Sequence, residues 1–376
     1  MDISAILNDK VCNEQAKKKS ALLADLPIKP IVIFGCGNLG KKTGAFLLSK
    51  KYNLVAYSDN NELKWGSELN GVAILVPYEA KELYGTEAIF IVCIWSPERS
   101  YALFKKQLTD LGVQHIIHAA AIMLSFPDEL LPYFHFQSPE YFLKHKKELT
   151  EVYNLLADEE SKKQYLAHVD CRMTLNFEGL PVPDTRNQYF PADVIKLSDH
   201  EVFFDAGAYN GDTLQDFCER TKFKYARYIA LEPDPENYVA LGKRIDKLNA
   251  PNVDTYKYAV GSENCFLNFE ATGVGDAGIS DKGSIRVECV RIDDKFYDEA
   301  PTYLKFDIEG AELDALDGAD RTIETYKPVL AVCIYHLPDD LWTIPLYLKN
   351  KYPFYNFFAR THQYDGLDFI LYAIPK

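Results

Sequence analysis

Short apolar runs that end in a glycine or an acid, each followed by a stretch with helical spacing, recur along this chain. Ile31-Val32-Ile33-Phe34 enters Gly35-Cys36-Gly37-Asn38-Leu39-Gly40, and a helix is expected through Leu48. Further strands are predicted at Leu54 to Ser58, Val72 to Val76, Ala88 to Ile94 and Gln114 to His118. From Pro127 to His168 the apolar positions fall at helical spacing, and a polar, proline-containing loop from Gly179 to Asp193 holds Gln188-Tyr189-Phe190-Pro191. Strands resume at Val202 to Asp205, Tyr228 to Glu232 and Thr255 to Val260. Cys265 to Glu270 and Ile285 to Ile292 suggest a hairpin joined by a loop with Gly273, Gly275, Gly278 and Gly283. Tyr303 onward, Val329 to Tyr335 and Phe369 to Ala373 complete the set. Strand and helix alternate, so the expected class is α/β with two Rossmann-like, doubly wound domains. The expected division is a helical lead over 1–26, a first domain over 27–125, a helical connector over 126–198 and a second domain over 199–376.

Length agrees with that division, since 376 residues suit two domains and a connector. The 47% hydrophobic content is enough to fill two cores. A net charge of −14 argues against a surface that tracks nucleic-acid phosphates, and the one basic run, Lys17 to Lys19, is short. Eight cysteines are scattered with no Cys-x-x-Cys, which fits reduced thiols and argues against a zinc site or a disulfide framework. No apolar run reaches the length of about eighteen residues that a membrane span needs. Met1-Asp2-Ile3-Ser4 lacks the start of a signal peptide. The expectation is a soluble cytoplasmic protein without membrane insertion, and an oligomer is compatible with the sequence.

In the first domain, Gly35, Gly37 and Gly40 lie between a strand and a helix, and Asp59 ends the next strand nineteen residues beyond Gly40. That is the context of a dinucleotide-binding loop with a ribose-binding acid. The alternative is a strand-to-helix turn that keeps its glycines for packing. A nicotinamide-side set such as Tyr-x-x-x-Lys is not recognisable, so the expectation is against NAD.

The second domain carries a sharper pattern. Phe203-Phe204-Asp205-Ala206-Gly207-Ala208-Tyr209-Asn210-Gly211-Asp212-Thr213 is followed by a strand that ends in Leu231-Glu232-Pro233-Asp234. A buried strand that runs into Asp-x-Gly-x-x-x-Gly, with an acid at the next strand end, suits S-adenosylmethionine rather than NAD. Gly207 lets backbone approach a ligand, and amides at the helix start near Asp212 and Thr213 can bind its carboxylate. Asp205 is a candidate partner for the ammonium group, and Glu232 for the two ribose hydroxyls. The candidate cofactor residues are Asp205, Gly207, Tyr209, Gly211, Asp212, Thr213, Glu232, Ala259 and Val260. A βαβ turn in which Asp212 or Thr213 merely caps a helix is the structural alternative.

Chemistry should gather where parallel strands end. Lys305, Asp307 and Glu309 would share one strand face, and Val329 to Tyr335 delivers His336 to the same rim. Arg360, His362 and Tyr364 are expected in the last loop. Asp307 and His336 are the candidate catalytic pair, either one a base, directly or through the other. Lys305, Glu309, Arg360 and His362 are candidate substrate residues, with Glu309 and Glu312 alternatively favouring the next helix start. A divalent cation such as Mg²⁺, held by Asp307, Glu309 and a further oxygen, is a third arrangement.

Phe204 to Thr213, Leu231-Glu232-Pro233, Lys305 to Leu313 and Ile334-Tyr335-His336 together resemble the FkbM-type methyltransferases. The resemblance covers roughly 188–376 and implies a class I methyltransferase fold with a seven-stranded mixed sheet. It also implies O-methylation of hydroxyl groups on sugars or related molecules, with S-adenosylmethionine as cofactor. The first domain resembles, more loosely, small nucleotide- or sugar-associated domains. A sugar or nucleotide-sugar acceptor is the expected partner. Two other functions compete with it: a non-catalytic nucleotide-binding or assembly module, and an NAD-linked sugar-modifying enzyme that uses the first domain.

Overall fold

Every residue of Ile31–Phe34 (β1) is buried, with alternate side chains in two different cores. Val32 and Phe34 pack with Phe90, Val92 and Phe104, while Ile31 and Ile33 pack with Leu47, Leu54 and Ile91. A strand covered on both faces reads as an unbroken apolar run, which is why this one is conspicuous in the sequence. The computed structural model describes residues 2–96, 98–270, 278–279, 283 and 285–376.

β1 belongs to a unit made of Met1–Tyr153, Lys163–Pro183 and Gln363–Asp368. Its other strands are Leu54–Ser58 (β2), Glu68–Leu69 (β3), Val72–Leu75 (β4), Ile89–Val92 (β5) and His115–His118 (β6). They form a six-stranded sheet in the order β3-β4-β2-β1-β5-β6, parallel except for the β3–β4 pair. Helices Asn38–Ser49, Pro77–Tyr84 and Tyr101–Asp110 follow β1, β4 and β5. Within this unit, Asp365 Oδ2 accepts the Tyr101 N–H at 2.6 Å and the Asp365 carbonyl accepts Trp95 Nε1–H at 3.2 Å.

The other unit consists of Asn154–Lys162, Asp184–His362 and Phe369–Lys376. Its main sheet contains Val202–Ala206 (β7), Arg227–Leu231 (β8) and Val253–Tyr256 (β9). A second, four-stranded sheet holds Tyr258–Val260 (β10), Cys265–Glu270 (β11), Gly278–Ile279 (β12) and Ile285–Val290 (β13). The main sheet is completed by Tyr303–Phe306 (β14), Val329–Cys333 (β15), Tyr355–Thr361 (β16) and Phe369–Pro375 (β17). Its order is β16-β17-β15-β14-β7-β8-β9, with β17 antiparallel to both neighbours and the remaining pairs parallel. Among the described residues no helix is long and apolar enough to cross a membrane.

Several expectations change. The run Thr255 to Val260 is two strands in two sheets, broken at Lys257. The hairpin is present, with β11 and β13 antiparallel, while Gly273 and Gly275 of its loop lie outside the described residues. Residues 126–198, expected as one connector, are shared between the two units. Arg360 is not in a loop but inside β16.

Candidate active site

The parallel strands β7, β8 and β14 end side by side, and each hands the chain to a turn that carries a candidate residue. After β7, Gly207 has φ +81°, and both its N–H and that of Ala208 reach the Leu231 carbonyl at 3.0 Å. The Asp307 N–H in turn donates to the Ala206 carbonyl at 3.2 Å. Gly211 has φ +82° and is the N-cap of the helix Asp212–Thr221. A left-handed backbone at both positions is the reason for glycine there. Asp212 Oδ1 accepts the Thr213 N–H at 2.8 Å, and Asp212 is exposed while Thr213 is buried.

Glu232 follows β8 and is 5% exposed. Its carboxylate joins two turns, accepting the Tyr209 N–H at 2.7 Å and the Asp234 N–H at 2.8 Å. Each oxygen keeps a second lone-pair direction, so hydroxyl donors can still be received. Burial pushes this carboxyl up to about 7, against the pull of those two amides. Asp234 itself caps the helix Pro235–Leu248 through the Glu236 and Asn237 N–H groups.

Asp205 is not available to a cofactor ammonium. It is fully buried, receives the Tyr228 hydroxyl and pairs with Lys305 Nζ at 2.8 Å. Asp205 and Lys305 are register partners on β7 and β14, so the pair is a cross-strand one. Burial raises the Asp205 carboxyl. Lys305 is held above its usual range because Asp205 and Asp307 outweigh its own burial. Its ammonium also donates to the Gly207 carbonyl at 2.7 Å and lies 4.8 Å from the Tyr189 ring. Lys305 is thus an internal counter-ion that props the Gly207 turn, rather than a substrate-binding group.

Asp307 stands one residue beyond β14. Tyr189 donates its hydroxyl to Asp307 Oδ2 at 2.6 Å, and His336 Nε2 lies 3.4 Å from Asp307 Oδ1. Burial alone would raise this carboxyl, but His336, Lys305 and Tyr189 together hold it well below the usual range. Glu309 reaches the cluster because its backbone takes φ +57° and Gly310 follows at +98°, not through strand alternation. Its Oε1 is 3.7 Å from His336 Nε2. On the other side of the ring, Glu312 Oε1 lies 2.9 Å from His336 Nδ1 and also accepts the Ile308 N–H at 3.0 Å. Burial would lower the His336 imidazole, yet Glu312, Asp307 and Glu309 raise it well above its ordinary value. Asp340, bonded to the Leu337 N–H at 2.7 Å, is pushed up to about 8 by burial and then by Glu312.

Two expected substrate residues are structural. Arg360 is 6% exposed and fully engaged. Its Nη2 is 2.7 Å from Asp158 and 2.7 Å from Asp193, and its Nη1 donates to Ser161 Oγ at 2.7 Å. His362 is 0% exposed; Nδ1–H donates to the Asp184 carbonyl at 2.8 Å and Nε2 accepts the Tyr372 hydroxyl at 2.7 Å. Burial lowers this imidazole to about 4. Tyr372 also accepts the Tyr189 N–H at 3.1 Å, and Tyr303 donates to the Tyr189 carbonyl. His362 therefore braces the segment that carries Tyr189. Ala259 and Val260 are buried in the four-stranded sheet, paired with Cys289 and Val290.

Tyr189 and Glu312 are the residues that sequence reasoning underweighted. Tyr189 sits in the Gln188-Tyr189-Phe190-Pro191 segment with φ +64°, and only the fold brings it to Asp307. Glu312 begins a helix, where an acid is unremarkable until His336 is seen beside it.

In the first unit, Asp59 is occupied by its own surroundings. It accepts the Cys36 N–H at 2.7 Å and the Asn61 N–H at 2.8 Å, and pairs with Lys64 at 2.8 Å. Gly35 has φ +105°, and a Cβ at Gly40 would lie 1.9 Å from the Gly35 carbonyl oxygen. That glycine is required for packing, whereas Gly37, the N-cap of Asn38–Ser49, has open space around it.

No curated protein matches the chain. Among solved structures, it is similar to a methyltransferase FkbM from Methylobacillus flagellatus KT, at 23% identity and a TM-score of 0.76 over 95% of this chain and 93% of that one. That likeness establishes the fold. A putative rRNA-methylase from Clostridium thermocellum aligns at 15% identity and a TM-score of 0.36, over 52% of this chain and 98% of that one. A precorrin-6y C5,15-methyltransferase from Geobacter metallireducens GS-15 aligns at 15% identity and a TM-score of 0.31, over 48% and 83%. Residues 205–364 match the family model of the methyltransferase FkbM domain, and this span holds Gly207, Glu232, Asp307 and His336.

Proposed function

We propose that the protein is an S-adenosylmethionine-dependent O-methyltransferase whose acceptor is a hydroxyl of a sugar or related polyol. The observation that carries this reading is the array Glu312–His336–Asp307, with contacts of 2.9 and 3.4 Å, one strand away from the Gly207 turn. Methylation of a neutral alcohol needs a proton acceptor as well as alignment, and alignment alone supplies much of the rate. S-adenosylmethionine, held at the Gly207 turn and Glu232, would supply the methyl group to the acceptor oxygen and leave as S-adenosylhomocysteine with the carbon–sulfur bonding pair, and Asp307 would receive the hydroxyl proton. Asp307 is the group assigned to receive it because its carboxylate is partly exposed on the rim, whereas His336 is buried with Glu312 on Nδ1. His336 flanks the Asp307 carboxylate at 3.4 Å, and the Tyr189 hydroxyl steadies its other oxygen.

Asp307 and Glu309 are both partly exposed, and carboxylates are acceptors only, which favours an acceptor molecule rich in hydroxyl donors. The net charge of −14 speaks against a nucleic-acid substrate. All eight cysteines are free thiols, which suits work in a reducing compartment such as the cytoplasm. Calorimetric titration with S-adenosylhomocysteine tests the cofactor, and transfer of a labelled methyl group from S-adenosylmethionine to free and nucleotide-linked sugars tests the reaction. One-to-one binding and label on oxygen are expected. Absence of binding, or hydride transfer with NAD in its place, would sink the reading.

A further inference from the structure

We propose that Asp307, Glu309 and His336 form a site for a divalent first-row metal cation such as Mn²⁺ or Zn²⁺, with Glu312 orienting the histidine. One donor atom from each of the three residues lies within 4.8 Å of the others. His336 Nε2 stands 3.4 Å from Asp307 Oδ1 and 3.7 Å from Glu309 Oε1. Bonds of about 2.0–2.1 Å to a tetrahedral ion put its donors about 3.4 Å apart, so the spacing is that of ligands around a common centre.

The imidazole supplies a separate observation. His336 is 3% exposed, and neither its Nε2 nor Asp307 Oδ1 has a hydrogen-bond partner. A histidine ring this deeply buried, with one nitrogen turned toward two carboxylates and unbonded, is directed at something those carboxylates share. The other nitrogen is fixed by Glu312 Oε1 at 2.9 Å. A carboxylate that accepts the Nδ1–H hydrogen bond selects the tautomer with a lone pair on Nε2, which is the usual support of a metal-bound histidine. Proton and cation compete for that lone pair. Backbone geometry contributes as well, because Glu309 with φ +57° and Gly310 with φ +98° hold the Glu309 side chain in the cluster.

Donor chemistry chooses the ion. One nitrogen and two carboxylates, with coordination positions left open, fit zinc, manganese or iron(II) better than Mg²⁺, which prefers oxygen throughout. The all-oxygen Mg²⁺ site expected from the sequence is therefore replaced by a mixed one. A cation there would bind an acceptor hydroxyl and lower its pKa. That use rests on the methyl-transfer reading, while the binding does not.

The test uses the full chain stripped with a chelator, without cofactor or acceptor. Mn²⁺ is titrated by electron paramagnetic resonance and Zn²⁺ by calorimetry. One equivalent is expected, with ¹⁴N coupling from an imidazole in the Mn²⁺ spectrum. His336→Ala should abolish that coupling, and Glu312→Gln should weaken binding roughly 10- to 100-fold. Glu309→Gln, at a partly exposed position, should weaken binding with unchanged circular dichroism. Lack of stoichiometric binding overturns the proposal, as does binding without nitrogen coupling or unchanged affinity in Glu309→Gln. Metal binding without methyl transfer would leave this site standing and remove the proposed function, and methyl transfer by a protein that binds no metal would do the converse.

Discussion

The carbonyl oxygen of Asp307 occupies the space that a side chain at Gly207 would need: a Cβ there would lie 1.9 Å from it, on a backbone with φ +81°. The turn for the proposed cofactor and the turn of the proposed base are thus in backbone contact. Gly207→Ala should move both, at a cost of roughly 1–3 kcal/mol for the clash plus a similar amount for the strained φ. Denaturant unfolding and S-adenosylhomocysteine titration should both record the loss. A variant with normal stability and affinity would refute the placement of this turn.

As a proposed cofactor ligand, Glu232 should link cofactor binding to pH. Its carboxyl moves from 4.5 to about 7 on folding, so its contribution to stability is full below 4.5 and is lost as pH rises through 7. The ligand works in the opposite sense, since only the ionised form is a full acceptor for two ribose hydroxyls. S-adenosylhomocysteine affinity should therefore climb between about pH 6 and pH 8. Glu232→Gln should bind about tenfold or more weakly, for a charged hydrogen bond of roughly 1.5–3 kcal/mol, and without that climb. A climb that survives the substitution would assign the titration to another group.

Asp307→Asn should lower turnover by roughly 10²- to 10⁴-fold, the usual contribution of a general base, with S-adenosylhomocysteine affinity nearly unchanged. Single-turnover kinetics beside calorimetry separates the two. Equal losses in both would make Asp307 a cofactor ligand instead.

Arg360→Met should destabilise the fold by roughly 1–3 kcal/mol, the cost of leaving Asp158, Asp193 and Ser161 without their partner. The upper end of the buried-pair range is not expected, because the Asp193 side chain is 59% exposed. KM for the acceptor should not move at temperatures where the variant is folded. A large rise in KM would restore Arg360 to the substrate site.

His362 predicts a loss of stability in acid. Its imidazole falls from 6.5 to about 4 on folding, so its contribution is present above 6.5 and disappears as pH falls toward 4. His362→Gln should flatten that part of the stability profile, and an unchanged profile would exclude the assignment.

The strands covered on both faces were legible, and β1, β2 and the start of the Asp212 helix stand where the apolar runs and glycines put them. β16 was not, because its buried positions include Arg360 and Thr361. A guanidinium neutralised by two carboxylates from distant segments looks like a loop residue in one dimension. The acid at the end of β2 misled in the opposite direction, since Asp59 serves its own loop and Lys64. The acids and histidine on the rim could be listed from strand ends. Their grouping could not, since Glu309 depends on a left-handed backbone and Tyr189 comes from more than a hundred residues away.

The interleaving of the two units along the chain has a consequence for biosynthesis. The segment Gln363–Asp368 supplies the first unit with Asp365, which caps Tyr101 and receives Trp95. A ribosome that has translated the whole of the first sheet has therefore not yet made all of the unit that contains it. The Asp365 contacts to Tyr101 and Trp95 can form only after residue 365 has been made, by which point nearly all of the other unit has been made as well. No single cleavage releases either unit intact, and neither should be expressible as a contiguous fragment.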